Sequence, residues 1–179
     1  MTANTATEIG SNAPQPSSTL DQRDVLLSLL SDSSLNVVGK AELPGRTAEF
    51  QAISEELHPA LKDLLSAAYP AGLYTHQSKA ISASLSGEDV CLSTSTSSGK
   101  SLVFIAAGAH ELLSDPHARV LVMYPAKALI QDQIAKWDAV LKPLGFSVGF
   151  IDGNIPQGQR KEILLTKRVV LMTPDVVHA

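Results

Sequence analysis

Hydrophobic residues behind position 57 form short compact runs, separated by stretches with helical spacing. The runs that predict buried strands cover residues 90–92, 120–123, 146–151 and 169–172. The segments that predict helices cover residues 59–69, 75–86, 100–113, 127–141 and 156–165, and Pro174 could begin one more. Because the strands alternate with helices and are apolar on both faces, the pattern predicts an α/β fold with a parallel sheet covered by helices on both faces.

The first 56 residues have a different pattern. Residues 1–19 are mostly Thr, Ala, Asn, Ser, Gln and Pro, and such a stretch buries too little apolar surface to fold, so it predicts a disordered tail. Residues 20–56 predict a short amphipathic helix, at 20–30, followed by an irregular connector with turn residues. The α/β domain is therefore expected to span residues 57–179.

Cysteine content and charge restrict the class of protein. The one cysteine excludes a disulfide framework and a cysteine-based zinc site in this chain, and predicts the cytoplasm, or the nucleus of a eukaryote. No apolar run reaches the ~18–20 residues of a membrane span, so we expect no membrane association. The net charge is −4, but residues 1–58 hold 3 basic and 8 acidic residues, and residues 59–179 hold 11 and 10. The acidity lies in the front segment, so it does not exclude nucleic acid as a partner of the rest.

The sharpest motif is a Ser/Thr-rich turn between the predicted strand at 90–92 and the next helix. It reads TSTSSGKS and comprises Thr94, Ser95, Thr96, Ser97, Ser98, Gly99, Lys100 and Ser101. Backbone N–H groups at such a helix N-terminus can hold a β-phosphate. Lys100 would add charge at the β- and γ-phosphates, and Ser101 can join the shell of Mg²⁺. Thr94 stands where a glycine is usual, and the other interpretation is an ordinary turn with an incidental Gly-Lys-Ser.

Two residues ahead of this loop suit the base of a nucleotide. Gln77 lies about 23 residues before Lys100, and an amide side chain can pair with adenine through its donor and its acceptor together. Tyr74 could pack on the base. Taken alone, the segment better fits a helix cap with a solvated glutamine, and its spacing from the phosphate loop favours the adenine contact.

Three further motifs follow the later strands at the same predicted edge of the sheet. They are Tyr124–Gln133 (YPAKALIQDQ), Asp152–Asn154 (DGN) and Thr173–Asp175 (TPD). Each combines a strand end, a small or polar turn and a helix N-terminus, so together they form a row of donors that suits a sugar-phosphate backbone. Each one alone could be an ordinary strand-to-helix loop.

In this order the motifs resemble the first RecA-like domain of superfamily 2 DEAD/DEAH-box helicases. The segments that carry the resemblance are LYTHQ, TSTSSGKS, YPAKALIQDQ, DGN and MTPD, within residues 57–179. The first two are most similar to the DNA helicases of the MrfA and RecQ-four-like group, whose full-length members carry a C-terminal zinc-binding domain. The resemblance implies a RecA-like P-loop NTPase domain, incomplete at its C-terminus, of an ATP-dependent DNA helicase or translocase that moves 3′ to 5′. We expect a monomer.

The resemblance also implies roles for single residues. ATP and Mg²⁺ would be the cofactors, bound by Tyr74, Gln77 and the loop at residues 94–101, with Lys100 and Ser101 as the catalytic residues of this chain. The residues that would contact the nucleic-acid backbone are Pro125, Lys127, Gly153, Thr173 and Pro174.

The sequence departs from the family pattern in two respects. RNA-type members usually have Thr and Glu where this chain has Ala126 and Ala128, which favours DNA over RNA. No Asp-Glu pair follows Pro174, and no second RecA-like domain with an arginine finger is present, so we expect this chain alone to hydrolyse ATP negligibly. The alternative function is an inactive truncated fragment that only binds nucleotide or nucleic acid. A small P-loop kinase is disfavoured because the sequence has no basic lid segment.

Overall fold

A computed structural model describes residues 22–32, 34–36, 38–39, 47–95 and 98–178 of the chain. The predicted tail at residues 1–19 lies outside the described residues, as do Thr96 and Ser97 of the phosphate loop. The chain divides into two compact units, residues 1–46 and residues 47–179. In the first unit, helix α1 spans Gln22–Ser31, where the sequence predicts a helix at 20–30.

The second unit alternates strands and helices from residue 50 onwards. Its helices are α2 Pro59–Ala68, α3 Thr75–Leu85, α4 Lys100–Ser114, α5 Lys127–Leu141 and α6 Gln157–Thr166, and a 3₁₀ turn covers Pro174–His178. Its strands are β1 Phe50–Gln51, β2 Leu73–Tyr74, β3 Val120–Met123, β4 Val148–Ile151 and β5 Val169–Met172. None of the described helices is long and apolar enough to cross a bilayer.

The main sheet is parallel, in the order β3-β5-β4. Val169, the first residue of β5, pairs with the first residues of both neighbouring strands, and Met172 pairs with the last. This register brings the carboxyl ends of the three strands to one edge, where ligands of open parallel sheets bind. The prediction of an α/β fold with a parallel sheet flanked by helices is confirmed. Helical cover is complete over β5, whereas Leu121 and Met123 of β3 are half-exposed.

The predicted strand at residues 90–92 is wrong. These residues form no strand, and Val90 and Cys91 are exposed. A run of three apolar residues becomes a strand only when a neighbouring strand satisfies its backbone N–H and C=O groups. None of the strands in the described ranges pairs with residues 90–92, so apolar content alone does not make a strand there.

A two-residue antiparallel ladder, which the sequence did not predict, joins β1 to β2. Phe50 pairs with Tyr74, and the backbone N–H of Thr75 donates to the carbonyl of Glu49 at 3.0 Å. Gly72 permits this approach because it has φ +90° and because a Cβ there would collide with the carbonyl of Gln51. The ladder places an aromatic residue of the predicted irregular connector beside Tyr74.

The core lies between helix α4, helix α5 and the main sheet. Trp137 is fully buried on α5, and its Nε1–H donates to the hydroxyl oxygen of Tyr124 at 3.1 Å. Burial raises the pKa of Tyr124, so its hydroxyl stays protonated at neutral pH. Gly108 of α4 packs against Val120, where a Cβ would lie 3.2 Å from a methyl group of that residue. This close packing fixes α4, and with it the turn that precedes α4.

Arg168 holds the opposite end of α4. Its guanidinium donates to the carbonyls of Leu112 at 3.0 Å and Ala118 at 2.9 Å, and it lies 5.2 Å from the centre of the Phe146 ring. We expect Arg168→Ala to lower the free energy of unfolding by about 1.5–3 kcal/mol, because hydrogen bonds from a charged group to half-buried carbonyls are lost. Urea denaturation measures this change. The exposed Lys161→Ala is the control, and an equal effect in both variants would contradict the role of Arg168.

Candidate functional site

The Ser/Thr-rich turn and the first residues of α4 form the phosphate loop that the sequence predicts. Gly99 precedes the helix in the left-handed region, with φ 75° and ψ 22°, which glycine adopts without strain. The Nζ of Lys100 donates to the carbonyls of Thr94 at 3.0 Å and Ser95 at 2.6 Å. The hydroxyls of Thr94 and Ser98 are 2.6 Å apart. The lysine therefore curls back over the turn, with a third ammonium proton unused.

Helix α3 braces this turn through two consecutive carbonyls. The Nε2 of His76 lies 2.9 Å from the carbonyl oxygen of Ser98, and the Nε2 of Gln77 donates to that of Gly99 at 2.9 Å. A carbonyl only accepts, so His76 carries its proton on Nε2. Because C=O and N–H point in opposite directions across a trans peptide plane, the N–H groups of Gly99 and Lys100 face away from α3. Those donors are the ones a phosphate would need.

Gln77 is engaged more fully than the sequence predicts. Its side chain is 4% exposed, and its Oε1 accepts the backbone N–H of Tyr74 at 3.0 Å. One amide proton and one oxygen lone pair remain. In this arrangement Gln77 joins the start of α3 to the phosphate loop, and a bidentate contact with adenine can use only the remaining proton and lone pair.

A cavity of about 670 Å³ brings the predicted base-binding and phosphate-binding residues together. It is lined by Tyr74, Gln77, the described loop residues from Ser98 to Ser101, and part of α5. The rings of Phe50 and Tyr74 stack with centroids 5.0 Å apart, and His76 continues the stack at 5.6 Å from Tyr74.

Two lining residues of this cavity were missed in the sequence analysis. Phe50 comes from the segment predicted as irregular connector, and Lys136 comes from the middle of α5. Neither belongs to a motif, and both reach the cavity through tertiary packing. An aromatic residue beside the LYTHQ segment would have been the only available signal for Phe50.

Ser101, the predicted Mg²⁺ ligand, lies at the start of α4 and faces α5. Its hydroxyl donates to the Oε1 of Gln133 at 3.0 Å. With the proton directed to Gln133, the lone pairs of the Ser101 oxygen stay free, which fits a ligand of a hard cation that is shared with nucleotide phosphates. No group of three or more His, Cys, Asp or Glu side chains that could hold a metal ion occurs among the residues that the structure describes.

The predicted nucleic-acid residues lie along the carboxyl edge of the main sheet. Lys127, at the start of α5, donates from Nζ to the side-chain oxygen of Asn154 at 3.1 Å and lies 3.9 Å from a carboxylate oxygen of Asp152. A Cβ on Gly153 would be 3.6 Å from both the Nζ of Lys127 and a carboxylate oxygen of Asp175. The structure therefore brings the second and third motifs together, around one lysine and two carboxylates. We refer to residues 125–127, 152–154 and 173–175 as the rim.

The exposed and buried members of the rim differ in what they can contact. Pro125 and Pro174 are exposed, whereas Thr173 is 3% exposed and its hydroxyl has no hydrogen-bond partner in the described part of the chain. That hydroxyl, which faces the Asp175 carboxylate more loosely than a regular hydrogen bond, is the largest cause that holds the pKa of Asp175 below its usual value. Asp175 is therefore charged at neutral pH and offsets part of the charge of Lys127.

The family model described as DEAD/DEAH box helicase matches residues 74–179, more than half of the chain. The chain belongs to the DEAD/DEAH box helicase family. The match begins at Tyr74 of the nucleotide cavity and includes the phosphate loop and the whole rim. The family named from the sequence motifs is thereby confirmed, while the roles of the individual site residues remain predictions.

Other members of the helicase family match over most of this chain. The ATP-dependent helicase HRQ1 of Saccharomyces cerevisiae is 34% identical over 140 residues, which are 76% of this chain and 13% of the yeast protein. The uncharacterized ATP-dependent helicase YprA of Bacillus subtilis is 29% identical over 158 residues, which are 86% of this chain and 21% of that protein. The chain thus spans a fifth or less of the length of these two helicases.

A solved structure supports the same relationship. The crystal structure of the DUF1998 helicase MrfA bound to DNA and AMPPNP superimposes with a TM-score of 0.74 at 27% identity, covering 87% of this chain and 22% of MrfA. The similarity to the MrfA group that LYTHQ and TSTSSGKS indicate is confirmed by this likeness. It extends ahead of the family match, into the segment that contains Phe50.

Proposed function

We propose that this chain forms the nucleotide-binding part of the first RecA-like domain of an ATP-dependent DNA helicase or translocase. The observation that carries the proposal is the single cavity lined by Tyr74, Gln77 and the phosphate loop. These segments lie about 23 residues apart in the sequence, and only a nucleotide site requires both at once. The share of the relatives that the chain spans makes the activity of the whole protein part of the proposal.

ATP fits the chemistry of the cavity at both ends. The N-terminus of α4 offers free N–H groups and a positive dipole for phosphates, and the ammonium of Lys100 lies directly above them. At the other end, the stacked rings of Phe50 and Tyr74 offer an aromatic surface for a base. MrfA, solved with AMPPNP, supports ATP as the nucleotide, and we propose Mg²⁺ as its counter-ion, held by the Ser101 hydroxyl.

The rim suits contact with a nucleic-acid backbone. Lys127, the N-terminus of α5 and the Gly153 turn give charge, N–H donors and close access at one edge. DNA is favoured over RNA by Ala126 and Ala128 and by the DNA-bound structure of MrfA. Movement 3′ to 5′, a monomeric state, and a location in the cytoplasm or in the nucleus of a eukaryote complete the proposal.

A strand-separation assay on the full-length protein tests this function. We expect ATP-dependent unwinding of a DNA duplex with a 3′ single-stranded tail, and loss of unwinding in Lys100→Ala. Preference for a 5′ tail or for RNA would contradict the substrate and polarity. Nucleotide binding without any unwinding or translocation would favour the alternative, a module that only binds nucleotide and nucleic acid.

Lys127→Ala tests the rim separately from the nucleotide cavity. We expect single-stranded DNA to bind about three- to tenfold more weakly, because one charged contact to phosphate is lost. The slope of log Kd against log salt concentration should fall by about one unit. Fluorescence anisotropy in a salt series measures both quantities. Lys142→Ala, directly after the far end of α5, is the matched control, and an equal loss in both variants would contradict a specific contact at the rim.

A further inference from the structure

Gln133 of α5 is a buried polar residue to which neither the motif analysis nor the family assigns a role. Its side chain is 7% exposed, and both of its amide atoms are hydrogen-bonded. Nε2 donates to a carboxylate oxygen of the neighbouring Asp132 at 2.8 Å, and Oε1 lies 3.0 Å from the hydroxyl oxygen of Ser101. A buried amide paired at both ends has one fixed orientation.

The partners of Gln133 decide that orientation by their chemistry. An ionised carboxylate only accepts hydrogen bonds, so the amide nitrogen of Gln133 must face Asp132. The amide oxygen then faces Ser101, and the Ser101 hydroxyl must donate its one proton to it. The two lone pairs of the Ser101 oxygen are left pointing elsewhere, available to a cation.

The same hydrogen bonds continue to the nucleotide cavity and along α5. Lys136 pairs with Asp132 at 3.1 Å, one turn further along the helix, and also lines the cavity. In the other direction, Lys127 of the rim lies six residues before Gln133, which corresponds to ~9 Å along the helix axis. Helix α5 therefore contacts the phosphate loop through Gln133 and the rim through Lys127.

We propose that Gln133 is a positioning residue that directs the lone pairs of the Ser101 hydroxyl toward the Mg²⁺ ion of the bound nucleotide. The inference rests on the proposed nucleotide-binding function. Gln133 touches neither the metal nor the nucleotide, and it acts by holding the Ser101 proton. It consequently affects the Mg²⁺-dependent part of nucleotide affinity and leaves the Mg²⁺-independent part unchanged.

The test compares nucleotide affinity in two buffers. Isothermal titration gives the Kd of a nonhydrolysable ATP analogue in excess Mg²⁺ and in EDTA, and the ratio of the two values reports the contribution of the metal. In Gln133→Leu, which removes the acceptor and keeps similar volume, we expect the gain in affinity from Mg²⁺ to fall about two- to tenfold, the effect of one hydrogen bond. The Kd in EDTA should stay at the wild-type value.

Three variants complete the experiment. Gln133→Glu keeps an acceptor beside Ser101 and should retain the wild-type ratio, and Gln131→Leu makes the same change as Gln133→Leu at an exposed position of the same helix and should have no effect. Should the leucine variant fail to fold, Gln133→Asn, one methylene too short to reach Ser101, replaces it. An unchanged ratio, or an equal loss in both buffers, overturns the positioning role. Failure of the wild type to bind in either buffer overturns the proposed function itself.

Discussion

Replacing Lys100 by alanine is expected to weaken the binding of a nonhydrolysable ATP analogue by about tenfold or more. The ammonium lies over the turn at the start of α4, within 3.0 Å of two loop carbonyls, where it can reach the β- and γ-phosphates. Loss of a charged hydrogen bond costs about 1.5–3 kcal/mol, which corresponds to a 10- to 150-fold rise in Kd. Isothermal titration measures the change directly.

A matched control separates this effect from a general loss of positive charge. Lys79 is an exposed lysine of α3, the helix that braces the loop. Lys79→Ala removes the same charge and should leave the Kd within about twofold of the wild type, because exposed charges are screened by solvent. Equal affinity of Lys100→Ala and wild type would show that the loop does not hold phosphates.

The second large effect is expected at Gly99. Alanine there is strained by about 1–2 kcal/mol, because φ 75° is unfavourable for a residue with a Cβ. The new Cβ would also collide with the Nε2 of Gln77, which would break the brace between α3 and the Gly99 carbonyl. We expect Gly99→Ala to lose about 2–3 kcal/mol of unfolding free energy, the sum of strain and one buried hydrogen bond, together with most of its nucleotide affinity.

Two other glycines of the chain serve as controls for backbone strain alone. Gly87 and Gly145 have φ +81° and +85°, and a Cβ at either position would meet no atom within 4 Å. Alanine at these positions should cost a similar ~1–2 kcal/mol in urea denaturation and leave the Kd for nucleotide unchanged. If all three variants bind nucleotide as the wild type does, the contact between Gln77 and the phosphate loop has no role in binding.

Elements with strong local signals could be predicted well from the sequence. The strands at residues 120–123 and 169–172 and the helix at 127–141 have the bounds that the structure shows. Compact apolar runs, bounded by Pro125 on one side and Pro174 on the other, make these ends visible in the sequence. The order of strands and helices then specifies the α/β class.

Elements that depend on a distant partner could not be predicted. Residues 90–92 have the apolar content of a strand and no strand beside them, whereas Phe50 and Gln51 have no strand pattern and pair with β2. A two-residue ladder is too short to produce alternation, and its partner lies more than 20 residues away. Pairing across such a separation is a tertiary property.

The same distinction applies to the site. The phosphate loop could be identified from local spacing, since its residues are consecutive. The hydrogen bonds of His76 and Gln77 to the loop, and of Ser101 to Gln133, join residues 22 and 32 positions apart. The two carboxylates beside Lys127 were visible in the sequence, but their approach to its ammonium depends on the parallel register of β3, β5 and β4.

The central claim is that one cavity holds both the base and the phosphates of ATP. Titration of the purified chain with a nonhydrolysable ATP analogue and, separately, with inorganic tripolyphosphate tests it most directly. We predict saturable binding of the analogue at one site, with a Kd at least about tenfold lower than that of tripolyphosphate, because Phe50, Tyr74 and Gln77 add contacts to the base. Equal affinity for the two ligands, or no saturable binding of either, would contradict the claim.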